Sequence, residues 1–136
     1  MSQITNHIMM IQPVSFRYNE QTAVNNHYQQ AMEGLTPDKA QEKALEEFNT
    51  FVGVLRSNGV DVVVIPDTKD PDTPDSIFPN NWVLFDQNKI GVFPMFAKNR
   101  RTEVNYDFIK KINSNNDYKI YDYTNYANSE IFLEGT

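Results

Sequence analysis

The sequence predicts an α/β fold made of repeated strand–helix–strand units. Two strand candidates, residues 60–65 ("VDVVVI") and 118–123 ("YKIYDY"), each follow a helix candidate. Residue identity between the two units is low, so the repetition is one of pattern and not of sequence. A repeated supersecondary unit of this length indicates a modular α/β fold.

Composition indicates one globular domain spanning residues 1–136. The chain has 40% apolar and 22% charged residues, which is enough for a core at this length. Its net charge is −6, and it contains neither an arginine-rich run nor a basic helix, so we expect no nucleic-acid partner. No segment approaches the roughly 18 apolar residues of a membrane span, so we expect no membrane partner and a cytoplasmic protein.

The chain contains no cysteine. Disulfides, thiolate metal sites and a cysteine nucleophile are therefore excluded within this chain. The five glycines are dispersed and form no phosphate-binding loop.

In the first unit, residues 8–11 ("IMMI") predict a short strand, and residues 15–30 predict a loop with a short helix. Thr36 is a candidate N-cap followed by Pro37, and Gly59 has the residue type that ends helices in a left-handed conformation. Between them an apolar stripe predicts a long amphipathic helix. Its members are Ala40, Ala44, Phe48, Phe51, Val52 and Leu55. The β-branched run 60–65 then predicts a buried strand.

In the second unit, residues 82–85 ("WVLF") and 90–95 ("IGVFPM") predict a hairpin through "DQNK". Residues 105–112 have helical spacing, residues 118–123 alternate as a strand does, and residues 131–134 ("IFLE") predict the start of another strand. Because the chain ends within that last candidate, we expect it to be truncated or fragmentary.

The acidic, proline-rich loop offers carboxylates that resemble calcium ligands, but their spacing does not support a metal site. It carries Asp67, Asp70, Asp72 and Asp75, without the central glycine and terminal glutamate of a calcium loop. His7 and His27 have no partner at metal-ligand spacing. We expect no metal and a solvated loop.

The stretch "DSIFPNNW" contains the candidate site residues Asp75, Asn80 and Asn81. If these residues converge on one cavity, a carboxylate and amide oxygens would accept the in-plane N–H groups of a guanidinium. The alternative is that both asparagines cap a turn. For Arg100 and Arg101, one of the pair could hold a substrate carboxylate, or both could be an exposed pair balancing Glu103 and Asp107.

Four motifs in order resemble the pentein superfamily of amidinotransferases and guanidine-modifying hydrolases, especially its citrulline-utilisation hydrolase-type branch. They are "IQPVSFRYNEQT", "PDSIFPNNWV", "FPMFAKNRR" and "FLEGT". The resemblance implies a five-bladed α/β propeller of ββαβ modules. This chain would supply the N-terminal portion, about two modules, ending before the catalytic histidine and cysteine.

The resemblance also implies roles for the substrate-contact residues. Asp75 matches the carboxylate that binds the substrate guanidinium, with Asn80 and Asn81 at adjoining positions. Arg100 or Arg101 matches an arginine that holds the substrate carboxylate. Several relatives have acidic residues where this chain has Asn80 and Asn81, so the identity of the guanidine stays open.

The remaining roles concern catalysis and access. Glu134 matches the catalytic glutamate beside the histidine, and Phe16 and Arg17 match a segment that leads into a loop covering the site. Family chemistry proceeds by cysteine attack on the guanidinium carbon, through a covalent thiouronium intermediate, without a cofactor. The ligand implied is a small guanidine or ureido compound.

Three hypotheses follow for function. The chain is a fragment of a guanidine-modifying hydrolase or amidinotransferase that is inactive alone, a non-catalytic pentein-like binding or scaffold protein, or a half-protein completed by another chain. A two-module chain would leave strand edges and apolar surface uncovered, so we expect it to self-associate.

Overall fold

Two parallel strands joined through a long helix define the first unit of the structure. The computed structural model describes residues 4–24, 26 and 29–133, and the chain divides into two units, Met1–Ile77 and Phe78–Thr136. The first contains β1 (His7–Gln12), α1 (Glu20–Ala23), α2 (Pro37–Ser57) and β2 (Asp61–Pro66). β1 and β2 pair in parallel, with His7 opposite Asp61 and Gln12 opposite Pro66. The predicted order of elements in this unit is confirmed.

The ends of α2 follow from local chemistry. The Thr36 hydroxyl accepts a hydrogen bond from the Lys39 backbone N–H at 3.4 Å, and Pro37 occupies the first helical position. Gly59 follows the helix with a φ of 82°, a conformation that costs glycine little. The predicted N-cap and terminator are both confirmed.

Two burial predictions in this unit are wrong. Val52 is buried on α2, but Phe51, a member of the same predicted stripe, is 54% exposed. In β2, Val62 is buried whereas Val63 is 37% exposed. Val62 is the only buried residue of β2, and neither face of the strand is buried along its full length.

The second unit has the element order ββαβ. It contains β3 (Val83–Asp86), β4 (Lys89–Val92), α3 (Tyr106–Asn115) and β5 (Lys119–Asp122). β3 and β4 form the predicted antiparallel hairpin, and β5 pairs with β4 in parallel. The core of this unit consists of fully buried side chains, which include Trp82, Ile90, Val92, Met95 and Ile109.

The strand predicted at residues 131–134 is not formed in its described part. A short 3₁₀ helix, Thr124–Ser129, ends at Glu130, which has a left-handed φ of 57°. The N–H of Ile131 then bonds back to the carbonyl of Tyr126 at 3.1 Å. Since that N–H closes the helix end, it is not available for a strand ladder.

No helix in the described parts of the chain has both the length and the apolar composition needed to cross a bilayer.

Candidate functional site

Asp75 is a buried carboxylate held by side chains from the segment around α1. It is 6% exposed, and its Oδ2 accepts a hydrogen bond from Asn19 Nδ2 at 2.7 Å. The Thr22 hydroxyl lies 2.9 Å from the same oxygen. A buried carboxylate needs donors of this kind to replace the water it has lost.

Asn19 is positioned by its role at the start of α1. Its Oδ1 accepts from the Gln21 backbone N–H at 3.1 Å, which makes it the N-cap of the helix. Because an amide carries its oxygen and its NH₂ group on opposite sides, capping with Oδ1 directs Nδ2 toward Asp75. Asn19 is 3% exposed.

Arg17 and Asp72 form a second link between the same two stretches of sequence. Arg17 Nη1 donates to Asp72 Oδ1 at 2.8 Å, and Nη2 donates to Asp72 Oδ2. The two hydrogen bonds from Arg17 lower the pKa of Asp72, and the same bonds raise the pKa of Arg17. Phe16, the other predicted lid residue, donates its backbone N–H to Gln41 on α2 at 2.7 Å.

Arg100 lies at the centre of a buried polar cluster in the second unit. Its Nε and Nη2 each donate to one oxygen of Glu103 at 2.9 Å. Nη1 donates to Asn81 Oδ1 at 2.9 Å, and Nη2 also donates to the carbonyl of Phe78 at 3.2 Å. Arg100 and Glu103 are 5% and 8% exposed, so the alternative of an exposed basic pair is wrong for Arg100.

Two 3₁₀ helices present this cluster. Asn81 ends the segment Pro79–Asn81, and Arg100 and Glu103 lie three residues apart on the segment Lys98–Glu103. Residues separated by three eclipse each other on a 3₁₀ helix, which brings the guanidinium and the carboxylate together. Asp107, the other predicted balancing charge, pairs with Lys110 instead.

Arg101 has a different environment from its neighbour. Its Nε donates to the carbonyl of Met95 at 2.9 Å and its Nη2 to the carbonyl of Phe96 at 3.1 Å. Its guanidinium carbon lies 5.2 Å from the centre of the Phe132 ring. The two adjacent arginines therefore lie in different environments.

Of the predicted residues, the structure brings Asn81 and Arg100 together. Asn80 is exposed, and Glu134 lies outside the described residues. Asp75 belongs to the first unit and Asn80 and Asn81 to the second, so their convergence on one cavity stays a prediction.

The acidic loop is used for internal contacts. Asp72 pairs with Arg17, and Asp67 accepts from the Thr73 hydroxyl at 2.8 Å. Across the described ranges, no three acidic or histidine side chains are grouped so as to hold a metal ion.

Sequence reasoning missed Asn19 and Thr22, and it considered Glu103 only as a charge balancing an exposed arginine pair. A local signal existed for two of them. Asn19 precedes an acidic residue at a helix start, which is a capping pattern, and Glu103 follows Arg100 at ion-pair spacing. Thr22 carried no such signal, because its partner is Asp75, 53 residues away.

A known protein-family model matches most of the chain. The family model described as "N,N dimethylarginine dimethylhydrolase, eukaryotic" matches residues 12–136. A search among curated protein sequences returns no match.

Solved structures share the fold at low sequence identity. The ternary complex of AgrE with ornithine and NAD⁺ is 20% identical, with a TM-score of 0.66 over 96% of this chain and 17% of that chain. The substrate-bound N-terminal domain of ArgZ, a cyanobacterial arginine dihydrolase, is 21% identical, with a TM-score of 0.65 over 95% of this chain and 42% of that chain. A dimethylarginine dimethylaminohydrolase adduct with S-methyl-L-thiocitrulline is 20% identical, with a TM-score of 0.58 over 85% of this chain and 41% of that chain. This chain thus spans less than half the length of each of these structures.

Proposed function

This chain belongs to the N,N-dimethylarginine dimethylhydrolase family of the pentein superfamily, and on that premise we propose that it is part of an enzyme acting on the guanidino group of an arginine-like substrate. The observation that carries the proposal is the buried carboxylate of Asp75, the first residue of the motif "DSIFPNNW". Two side-chain donors, from Asn19 and Thr22, hold this carboxylate. A guanidinium is a planar cation with several N–H donors, so an oriented carboxylate suits it. The similar solved structures include complexes with L-arginine and ornithine and an adduct with S-methyl-L-thiocitrulline.

In this proposal Asp75 binds the substrate guanidinium, and Asn80 and Asn81 line the adjoining positions. Either Arg100 or Arg101 holds the substrate carboxylate in this proposal. Arg100 is buried and already donates to Glu103 and Asn81, so it would orient Asn81 toward the substrate. Arg101 is partly exposed and bonded to two backbone carbonyls, which makes it the better candidate for the substrate carboxylate.

The chemistry would follow the family route. A cysteine thiolate attacks the guanidinium carbon, the C–N bond to the leaving amine breaks, and a histidine protonates that amine. Water then adds to the thiouronium carbon and the C–S bond breaks, which releases a ureido product and restores the thiolate. An acceptor amine in place of water would make the enzyme an amidinotransferase.

Residues 1–136 cannot supply the nucleophile, because they include no cysteine. The thiolate would come from sequence outside residues 1–136 or from a second chain. We further propose that residues 1–136 are the N-terminal portion of one propeller domain. Glu134 would assist the histidine, and Phe16 and Arg17 would lead into the covering loop.

The test is an assay of the complete gene product with L-arginine and Nω-methylated arginines, measuring the ureido product together with ammonia or methylamine. Asp75→Asn should lower kcat/KM by at least about a hundredfold, because the guanidinium loses its charged acceptor. Asp70→Asn, in the same loop but exposed, is the matched control and should retain wild-type kcat/KM. The 136-residue chain alone should yield no ureido product.

Two results would argue against the proposal. If the complete product converts no guanidine, the hydrolase reading fails. If it binds arginine-like ligands without converting them, the non-catalytic binding protein becomes the better description.

A further inference from the structure

The segment before and within α1 is joined to the loop containing Asp75 by three side chains. Arg17 pairs with Asp72, while Asn19 and Thr22 both approach Asp75. The contacts span more than fifty residues of sequence, so they are tertiary contacts and not local turn chemistry. Asn19 and Thr22 approach the same oxygen, Oδ2.

The hydrogen of the Thr22 hydroxyl can be assigned by elimination. Thr22 Oγ1 lies 2.9 Å from Asp75 Oδ2, 2.9 Å from Gln29 Oε1 and 3.2 Å from the Asn19 carbonyl oxygen. A hydroxyl has one hydrogen, and the carboxylate is the strongest of these acceptors. The Asn19 carbonyl already accepts backbone N–H bonds from Thr22 and Ala23. We therefore assign the hydrogen to the bond with Asp75 Oδ2.

Thr22 donates to Asp75, and Asn19 donates to the same carboxylate oxygen while capping α1. Two donors on one oxygen restrict rotation of the carboxylate about its terminal torsion, which is otherwise broad. Restricting it in the free protein removes an ordering cost from ligand binding.

We propose that Asn19 and Thr22 are positioning residues that hold the Asp75 carboxylate in one orientation to receive a guanidinium. The inference rests on the proposed function, since it assumes that Asp75 meets the substrate. Neither residue needs to touch the substrate. Their effect would be on substrate affinity, and therefore on KM more than on kcat.

Thr22 offers an isosteric test in the complete gene product. Thr22→Val removes the hydroxyl without changing side-chain shape and should raise KM for the arginine-like substrate about tenfold, because a hydrogen bond to a charged group is lost. Thr22→Ser keeps the hydroxyl and should restore KM to near the wild-type value. Thr50→Val, which removes an exposed hydroxyl on α2, is the matched control.

Asn19 offers a test that separates capping from positioning. Asn19→Asp keeps an N-cap of equal quality but places an acceptor against Asp75. KM should rise by more than with Thr22→Val. The exchanged pair Asn19→Asp with Asp75→Asn restores a donor and an acceptor, so its unfolding midpoint should recover. Its KM should not recover, because the carboxylate has moved to position 19.

Two outcomes would overturn the inference. One is a wild-type enzyme that is active while Thr22→Val and Asn19→Asp leave KM unchanged. The other is a double-mutant cycle between positions 19 and 75 with no coupling in the free energy of unfolding, which needs no activity to measure. Absence of any wild-type turnover would reject the proposed function. The double-mutant cycle between positions 19 and 75 would then still show whether Asn19 holds Asp75.

Discussion

The buried guanidinium of Arg100 pairs with both carboxylate oxygens of Glu103. The side chains of Arg100 and Glu103 are 6% and 1% exposed. Burial of both charges is costly, and their mutual attraction offsets that cost only while both are present. The pair is therefore a point at which one substitution should have a large effect on stability.

We expect Glu103→Gln to lower the free energy of unfolding by about 3 kcal/mol, because it leaves a buried guanidinium without its countercharge. Urea denaturation monitored by circular dichroism measures this. Asp107→Asn is the control, since its carboxylate is 97% exposed and its loss should leave the midpoint unchanged. The double replacement Arg100→Met with Glu103→Leu should recover much of the loss. If Glu103→Gln proves as mild as the control, the pair is not a buried ion pair in solution.

The Arg17–Asp72 pair should respond to acid. Because the pKa of Asp72 is lower in the folded chain than in the unfolded chain, the pair stabilises the fold above about pH 4. That contribution is lost as the pH falls through the lowered folded pKa. NMR signals of the Arg17 guanidinium should move toward free-arginine positions in that acidic range. Asp72→Asn should abolish the change, and a wild-type signal that is flat down to pH 2.5 would contradict it.

The contacts of individual side chains were the hardest feature to predict from sequence. Asp75, Asn81 and Arg100 stood out because residue type and motif singled them out. The partners that give those side chains their orientation are distant in sequence, as in the contact from Asn19 to Asp75. A contact of that separation depends on the tertiary fold, which no local pattern encodes.

Helices and strands depend more on local chemistry, and the sequence predicted them well. The cap at Thr36, the terminator Gly59, the hairpin of β3 and β4, and the helix α3 all follow from residues within or beside the element. The error at residues 131–134 has a local cause of its own. An apolar run predicts a strand only if its N–H groups are free to pair, and Ile131 uses its N–H to close the preceding 3₁₀ helix.

The N-cap of α2 gives a direct test at this scale. Thr36→Ala should reduce the free energy of unfolding by about 1 kcal/mol, because the Lys39 N–H loses its side-chain acceptor. Thr36→Ser retains the acceptor and should stay close to wild type. Chemical denaturation of the three proteins side by side provides the measurement. Equal stability of Thr36→Ala and wild type would show that solvent replaces the cap without loss.

At the scale of the whole molecule, the repeated pattern was predictable but the pairing of strands was not. Both units place a helix between two parallel strands, β1 with β2 and β4 with β5. Hydrophobic periodicity identifies strands, whereas the partner of a strand is set by the fold. The division after residue 77 was not predicted, although it directly follows the acidic, proline-rich loop.

The isolated 136-residue chain should self-associate. Large apolar side chains are exposed in the second unit, including Leu84, Phe85 and Tyr126, and β3 lies at an edge of its described sheet. Sedimentation velocity over a range of concentrations should show species larger than a monomer. Leu84→Lys, on the edge strand, should shift the distribution toward monomer, whereas Lys89→Arg should not. A monomer at every concentration would contradict the expectation.

Trp82 is the only tryptophan in the chain and is 1% exposed, in the core of the second unit. Its fluorescence emission should therefore be blue-shifted in the folded protein and should move to longer wavelength when that unit unfolds. The far-ultraviolet dichroism is weighted toward α2, the longest helix, which belongs to the first unit. The chain thus carries a separate optical reporter for each unit. Coincidence of the two transitions would mean that the units unfold as one cooperative body, and a gap between them would mean that they do not.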